Sequence, residues 1–441
     1  MLRVLRVSDD VLMSHALEWP SLTCAWLPDK ITPIGCDYSL QRLLLGTHTS
    51  GGETNYVHIC EVRLPLETTE IDVRAMEKSN DPAAPAAGAA GAAKPADVGG
   101  YASTYGKVEI VQSMVHEGEV HRARAMPQFS HFIATKAPSA DVFVYNRSLH
   151  PAKPVMGPAG SKAVATPDFR LVGHEKEGYG LSWSPHEEGV LISGSDDSLI
   201  CMWNLSADVA APRTVLAVTH PTLPSSHHAQ TKTVQALQTF RGHTDVVEDV
   251  QFSPHNSWQF ASAGDDRIVI LWDKRAKEHN TTKIEAHSAE VNCLSFNPIN
   301  GNLLVSGSSD KTLALWDLRN TSSKLHSFES HTEQVTAVEW APFSETILAS
   351  ASSDRRVNIW DMAKIGAEQE PEDAEDGPPE LLFIHGGHTD KIVDIAWNPS
   401  DPWVIASVAD DNTLQVWQVA DSILQEEEDE AAKAPDAEDL E

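Results

Sequence analysis

The sequence predicts an all-β protein in which one four-stranded unit recurs around a closed ring of seven. Three observations carry that expectation. First, the chain repeats itself: AHSAEVNCLSFNP (286–298) aligns with SHTEQVTAVEWAP (330–342), and Trp272, Trp316 and Trp360 stand 44 and 44 residues apart. Second, a strict spacing runs through five copies: a His, then Ser 19 later, Asp 4 later and Trp 6 later. The copies are His174, Ser193, Asp197, Trp203; His243, Ser262, Asp266, Trp272; His287, Ser306, Asp310, Trp316; His331, Ser350, Asp354, Trp360; and His388, Ser407, Asp411, Trp417. A degenerate sixth copy keeps the register with His116, Thr135, Ser139 and Tyr145. Third, runs of strand length such as VNCLSFNP, LLVSGSSD, TLALWDLR and LHSFESH lie between the markers, bounded by turn residues.

Four short strands per repeat, with G-H and W-D signatures, resemble the WD-repeat β-propeller. Taken in order, DDVLMSHAL near the start is expected to be the outer strand of the last blade. Residues 22–66 (SLTCAWLP, QRLLLGTHT, YVHICEVRL) supply three strands and GKVEIVQSM a fourth, making one blade. The degenerate copy and the five clear copies complete seven. A ring closed by both termini leaves no exposed sheet edge at the join. The propeller is expected to span 1–424. Its insertions are 79–100, rich in Ala, Pro and Gly; 208–236, with Pro212, Pro221 and Pro224; and the acidic 366–380. Residues 425–441 form an acidic tail without apolar bulk, expected to be disordered.

The 441 residues carry 33 basic and 64 acidic side chains, a net charge of −31. The acidic loop and tail hold about half of that, so the propeller itself is acidic. This balance argues against direct nucleic-acid binding and against an anionic membrane, and it favours basic proteins as partners. No run of 18 apolar residues occurs. The start, with Arg3, Arg6, Asp9 and Asp10, lacks the apolar segment of a secretory signal. Cys24, Cys36, Cys60, Cys201 and Cys293 are odd in number and far apart, which suits free thiols in a reducing compartment.

Ser, His and Asp recurring together invite a hydrolase reading, but a catalytic triad occurs once. Five equivalent sets, each with a Trp, suit a hydrogen-bonded network that ties each blade together. No Gly-rich phosphate loop, no H-E-x-x-H and no paired catalytic carboxylates appear, so no catalytic residue, cofactor or metal is expected. The innermost strand of each blade begins just after the marker His. Positions 3 and 5 beyond it therefore ring the channel mouth. They are Glu119, Glu177, Val246, Glu290, Gln334 and Lys391, then His121, Tyr179, Glu248, Asn292, Thr336 and Val393. Glu18 is expected to join them. Such a ring of carboxylates concentrates cations, and Tyr179 offers a face for a guanidinium.

The acidic loop leads directly into Leu381, Leu382, Phe383 and Ile384. Strand alternation sends one pair to the core and the other to an apolar floor beside acidic walls. That combination suits an amphipathic basic helix.

SHALEWPSLTCAWLPD, LLLGTHTS, HEGEVHRARAMPQ, KEGYGLSWSP and EDAEDGPPELLFIHGGHT resemble the histone-binding WD-repeat family, the retinoblastoma-binding protein and chromatin-assembly-factor small-subunit group. The resemblance implies binding of the first helix of histone H4 in a groove between the acidic loop and an N-terminal helix. Glu372, Asp373, Glu375 and Asp376 would hold its basic side chains over Phe383 and Ile384. It also implies binding of the histone H3 tail at the rim by Glu18, Glu119, Glu177, Tyr179, Glu248, Glu290 and Asn292. Only Met1 to Asp10 precede the closing strand, shorter than the family's charged helix. His121, Gln334 and Thr336 depart from the family's rim.

The expected function is thus that of a non-enzymatic histone chaperone and scaffold of chromatin assembly, deacetylase, remodelling or Polycomb-type complexes. The expected partners are histones H3 and H4 and the subunits of such complexes. The expected location is the nucleus, with some protein in the cytoplasm. An alternative from another class is a substrate adaptor of a cullin-type ubiquitin ligase, since fold alone does not fix function.

Overall fold

The computed structural model describes residues 9–49, 52–66, 107–154, 163–209, 231–276, 281–369, 374 and 377–420. Strand β1 (Asp9–Ala16) is followed by a first blade of β2 (Cys24–Ile31), β3 (Tyr38–Gly46), β4 (Asn55–Pro65) and β5 (Val108–His116). The second blade is β6 (Arg122–Ala125), β7 (Phe132–Lys136), β8 (Val142–Asn146) and β9 (Phe169–Val172). The third begins with β10 (Leu181–Trp183), β11 (Val190–Gly194) and β12 (Leu199–Asn204). The chain then forms β13 (Lys232–Gln235) before β14 (Gln238–Arg241) completes that blade.

Blades four to seven run regularly. They are β15 (Val247–Phe252), β16 (Gln259–Gly264), β17 (Ile268–Asp273), β18 (Thr281–Glu285); β19 (Val291–Phe296), β20 (Leu303–Ser308), β21 (Thr312–Asp317), β22 (His326–Glu329); β23 (Val335–Trp340), β24 (Ile347–Ser352), β25 (Val357–Asp361), β26 (Leu381–His385); and β27 (Ile392–Trp397), β28 (Val404–Ala409), β29 (Thr413–Val419). β1 pairs antiparallel with β29 from Asp9↔Val419 to Ala16↔Thr413, so the first strand completes the last blade as expected. The result is a seven-bladed β-propeller.

Apolar residues collect in seven clusters, one in each seam between neighbouring blades. Each marker Trp fills the seam toward the preceding blade. Trp272 packs with Phe240, Phe252 and Phe260, and Trp417 packs with Ile359 and Leu382. A large ring in every seam is the physical reason for the Trp periodicity.

The inner strands β2, β6, β10, β15, β19, β23 and β27 belong to separate sheets. Side-chain acceptors join them across the seams. Phe252 N donates to Ser182 Oγ (3.1 Å), Phe296 N to Gln251 Oε1 (2.6 Å), Trp397 N to Glu339 Oε2 (2.9 Å) and Cys24 N to Asp394 Oδ2 (2.9 Å). Edge amides that no ladder satisfies thus find partners.

One insertion departs from expectation. Within 208–236, expected to be a loop, Ser206–Val209 starts a short helix and β13 pairs parallel with β9, Lys232↔Phe169 to Gln235↔Val172. The second blade therefore has five strands. The short β9 would otherwise be an open edge, and covering such an edge is favourable. The expectations for 79–100 and for the tail 425–441 fall outside the described residues. The five cysteines carry free thiols, four of them buried.

Candidate functional site

The tetrads set the geometry at the upper rim. In blades four, five and six the network closes fully. Trp272, Trp316 and Trp360 donate to Ser262, Ser306 and Ser350 Oγ at 2.8, 3.1 and 2.8 Å. His243, His287 and His331 meet the same hydroxyls through Nε2 at 2.6, 2.9 and 2.7 Å. Their Nδ1 atoms meet Asp266, Asp310 and Asp354 at 2.9, 3.1 and 2.9 Å.

The other copies differ. In blade seven, Ser407 takes His388 and Trp417, but His388 Nδ1 meets Thr413 Oγ1 (3.1 Å). In blade three, His174 reaches Asp197 at 3.1 Å, yet its Nε2 meets the Ser193 carbonyl and Trp203 donates to Val172 O (3.2 Å). That tetrad is therefore not the closed network expected from spacing. In the degenerate copy His116 and Thr135 bond at 2.9 Å, while Tyr145 donates to Val115 O and Ser139 has no partner.

The Asp keeps its place in all five copies for a second reason. One oxygen accepts the amide two residues on (Leu199, Ile268, Thr312, Arg356, Thr413), and the other accepts the amide after the marker His (Glu175, Thr244, Ser288, Thr332, Thr389). Burial pushes the Asp197 carboxyl up, but its bonds from His174 and these amides outweigh burial and hold it at about 2.

The residue before each tetrad Asp is brought to the rim by one repeated bond. The amides of Asp196, Asp265, Ser309, Ser353 and Asp410 donate to the carbonyls of Glu177, Val246, Glu290, Gln334 and Lys391 at 2.9–3.1 Å. Asp196 and Asp265 thus join the carboxylates expected there, and a fixed offset from the tetrad Asp was the signal for both. Lys391, the lysine expected across the ring, is paired with Asp410 at 3.1 Å.

On the other side, Glu119 lies 3.1 Å from His48 and 4.0 Å from His121, which is also 4.0 Å from Glu177. Tyr179 is stacked on His121 and about a third exposed. Gly178 lies between Glu177 and Tyr179, where a Cβ would stand 2.5 Å from the Gly194 carbonyl, so only glycine lets the rim close here. Burial, then Asp265 and Asp196, push the Glu248 carboxyl up to about 7.

The remaining candidates are placed differently. Glu290 is exposed on the rim, whereas Asn292 spends its amide on Val335 O (2.7 Å) and accepts from Ser309. Thr336 likewise donates to Ile392 O. Glu18 is exposed but lines a cleft of about 790 Å³ with Trp19, Tyr56 and Ile110, whose lining includes none of the other rim candidates. Below the rim, the channel acids meet cations. Asp394 accepts from Arg124 at 3.1 Å and from Arg122 at 3.4 Å.

Of the acidic-loop candidates, Glu372, Asp373, Glu375 and Asp376 lie outside the described residues. The end of the loop is fixed by Glu380, which is buried, bonds His326 at 2.7 Å and accepts Asp361 N on its carbonyl. The expected alternation of Leu381 to Ile384 fails. A bulge between Ile359 and Trp360 in the β25–β26 pairing sets Leu382 and Phe383 together against the blade six–seven core, with Phe383 5.9 Å from the Trp417 ring. Leu381 packs into the blade five–six seam instead, and Ile384 is half-buried opposite Asn358. Phe383 and Ile384 are therefore not a same-face pair of an alternating strand.

The family model that describes the histone-binding protein RBBP4 and its counterpart in the CAF1 complex matches residues 10–66, which run from the closing strand through the third strand of blade one. The WD domain, G-beta repeat, matches 165–204, 234–273, 278–317, 322–361 and 379–418, one for each clear tetrad. With a closed seven-bladed ring, five such repeats and that N-terminal signature, the chain belongs to the histone-binding WD-repeat family.

Proposed function

We propose that the chain is a non-catalytic histone-binding scaffold that holds H3 and H4 for chromatin-assembly, deacetylase, remodelling or Polycomb-type complexes in the nucleus. The observation that carries this reading is the charge asymmetry of the rim. Glu119, Glu177, Asp196, Glu248 and Asp265 gather on one arc beside Tyr179, while Lys391 is already neutralised by Asp410. A basic H3 tail fits that arc. The first helix of H4 is assigned to the flank, with Glu372, Asp373, Glu375 and Asp376 against its basic side chains and Ile384 at the margin.

Pulldown of purified H3–H4 with wild type, Glu177→Lys and the double variant Glu375→Lys/Asp376→Lys tests both sites. Each variant is expected to lose binding, since desolvated charge pairs contribute roughly 1–3 kcal/mol. Equal recovery by all three proteins overturns the reading.

A further inference from the structure

Lys136 ends β7 in a position where the five clear repeats carry Gly194, Ala263, Gly307, Ala351 and Val408. It is wholly buried, yet its ammonium makes no hydrogen bond. Three more buried polar atoms without partners belong to the same end of the blade two–three seam: His121 Nδ1, Ser139 Oγ and Asp196 Oδ1. The backbone holds these groups close. His121 N donates to Lys136 O at 3.0 Å, and Asp196 N donates to Glu177 O at 2.9 Å. His121 in turn lies under Tyr179 and 4.0 Å from Glu177.

A buried, unbonded cation is costly, and Leu or Met would fill the same space without that cost. What Lys136 adds is positive charge directly beneath the rim. Burial lowers its pKa to about 8 against the pull of Asp197 and Asp196, so it is charged at neutral pH.

We propose that Lys136 is a resident counter-ion of the rim, set among the carboxylates from within where a guest's basic side chain arrives from outside. It moderates the rim's attraction and so restrains capture of arbitrary polycations, a device of specificity. This rests on the reading of the rim as a basic-peptide site.

The test uses the full chain, a tri-arginine peptide and two readouts. Lys136→Met is expected to lower the Kd for the peptide about three- to tenfold at low ionic strength, with the gain shrinking as salt rises. It is also expected to raise the His121 ring pKa in an NMR titration, because a positive neighbour is removed. An unchanged or weaker Kd with a wild-type Tm overturns the proposal. Glu177→Gln separates the two claims. If the peptide binds that variant as well as wild type, the rim reading fails, and the His121 titration alone decides Lys136. An unmoved His121 pKa then overturns it. Lys136→Gln gives the same readouts should the Met variant not fold.

Discussion

The imidazole of His121 lies flat on the phenol ring of Tyr179, with centroids 4.7 Å apart and planes 14° from parallel. Burial lowers the His121 pKa, so this support is neutral at physiological pH and leaves the outer face of Tyr179 free of a competing cation. Tyr179→Ala should weaken binding of an arginine-bearing peptide by about 1 kcal/mol, whereas Tyr179→Phe should keep most of it. Fluorescence anisotropy with a labelled peptide measures the difference. Equal losses in both variants would mean that the hydroxyl, not the ring face, is what counts.

Glu248 gives the rim a pH dependence. Burial and the nearby Asp265 and Asp196 raise its folded pKa to about 7, against roughly 4.3 in an unfolded chain. Between those values the native state holds the extra proton, so Glu248 favours folding at low pH and that contribution is lost as pH rises through 7. Ionised, the same group attracts a guest cation. Peptide binding should therefore strengthen by on the order of 1 kcal/mol from pH 6 to pH 8. Glu248→Gln should flatten the profile; a variant with the wild-type slope would place the titration elsewhere.

The tetrads are unequal, and their hydroxyl deletions should be too. Ser306 receives both the Trp316 indole and His287. Ser306→Ala strands two buried groups and should cost about 1–3 kcal/mol. Ser193 Oγ meets only the Gly194 carbonyl, so Ser193→Ala should cost less than about 1 kcal/mol. Chemical denaturation of the two variants settles the ranking.

Asp394 is buried and accepts from Arg122, Arg124 and the Cys24 amide across the closing seam. Asp394→Ala leaves two guanidiniums without that carboxylate and should destabilise the ring by roughly 3–5 kcal/mol. Asp394→Asn, which still accepts, should lose less. Thermal unfolding of the pair checks this, and equal Tm values would refute the role given to the charge.

Most of the ring was legible because its causes repeat. The marker Trp fills a seam, the Asp ties a turn, and the His links them, so a fixed spacing reports a fixed structure. What escaped was local and unrepeated. KTVQ carries no apolar alternation, and its parallel pairing with β9 depends on an open edge that only tertiary structure reveals. The bulge that reorients Phe383 leaves no residue signature. Asp196 and Asp265 were readable in principle, since each precedes a tetrad Asp, but the bond that carries them to the rim is between backbone atoms. Nothing in the spacing reveals why His174 turns to the Ser193 carbonyl, and we have no physical account of it.

The pairing of β1 with β29 imposes an order of events during synthesis. The segment that leaves the ribosome first must wait for residues 413–419, close to the last to be translated, before it finds its neighbour. Until then a nascent chain of six blades and a dangling leader exposes an apolar edge at each end. Release and annealing of those ends are thus one step, and a truncated translation product is left with sticky, unmatched borders that chaperones must shield.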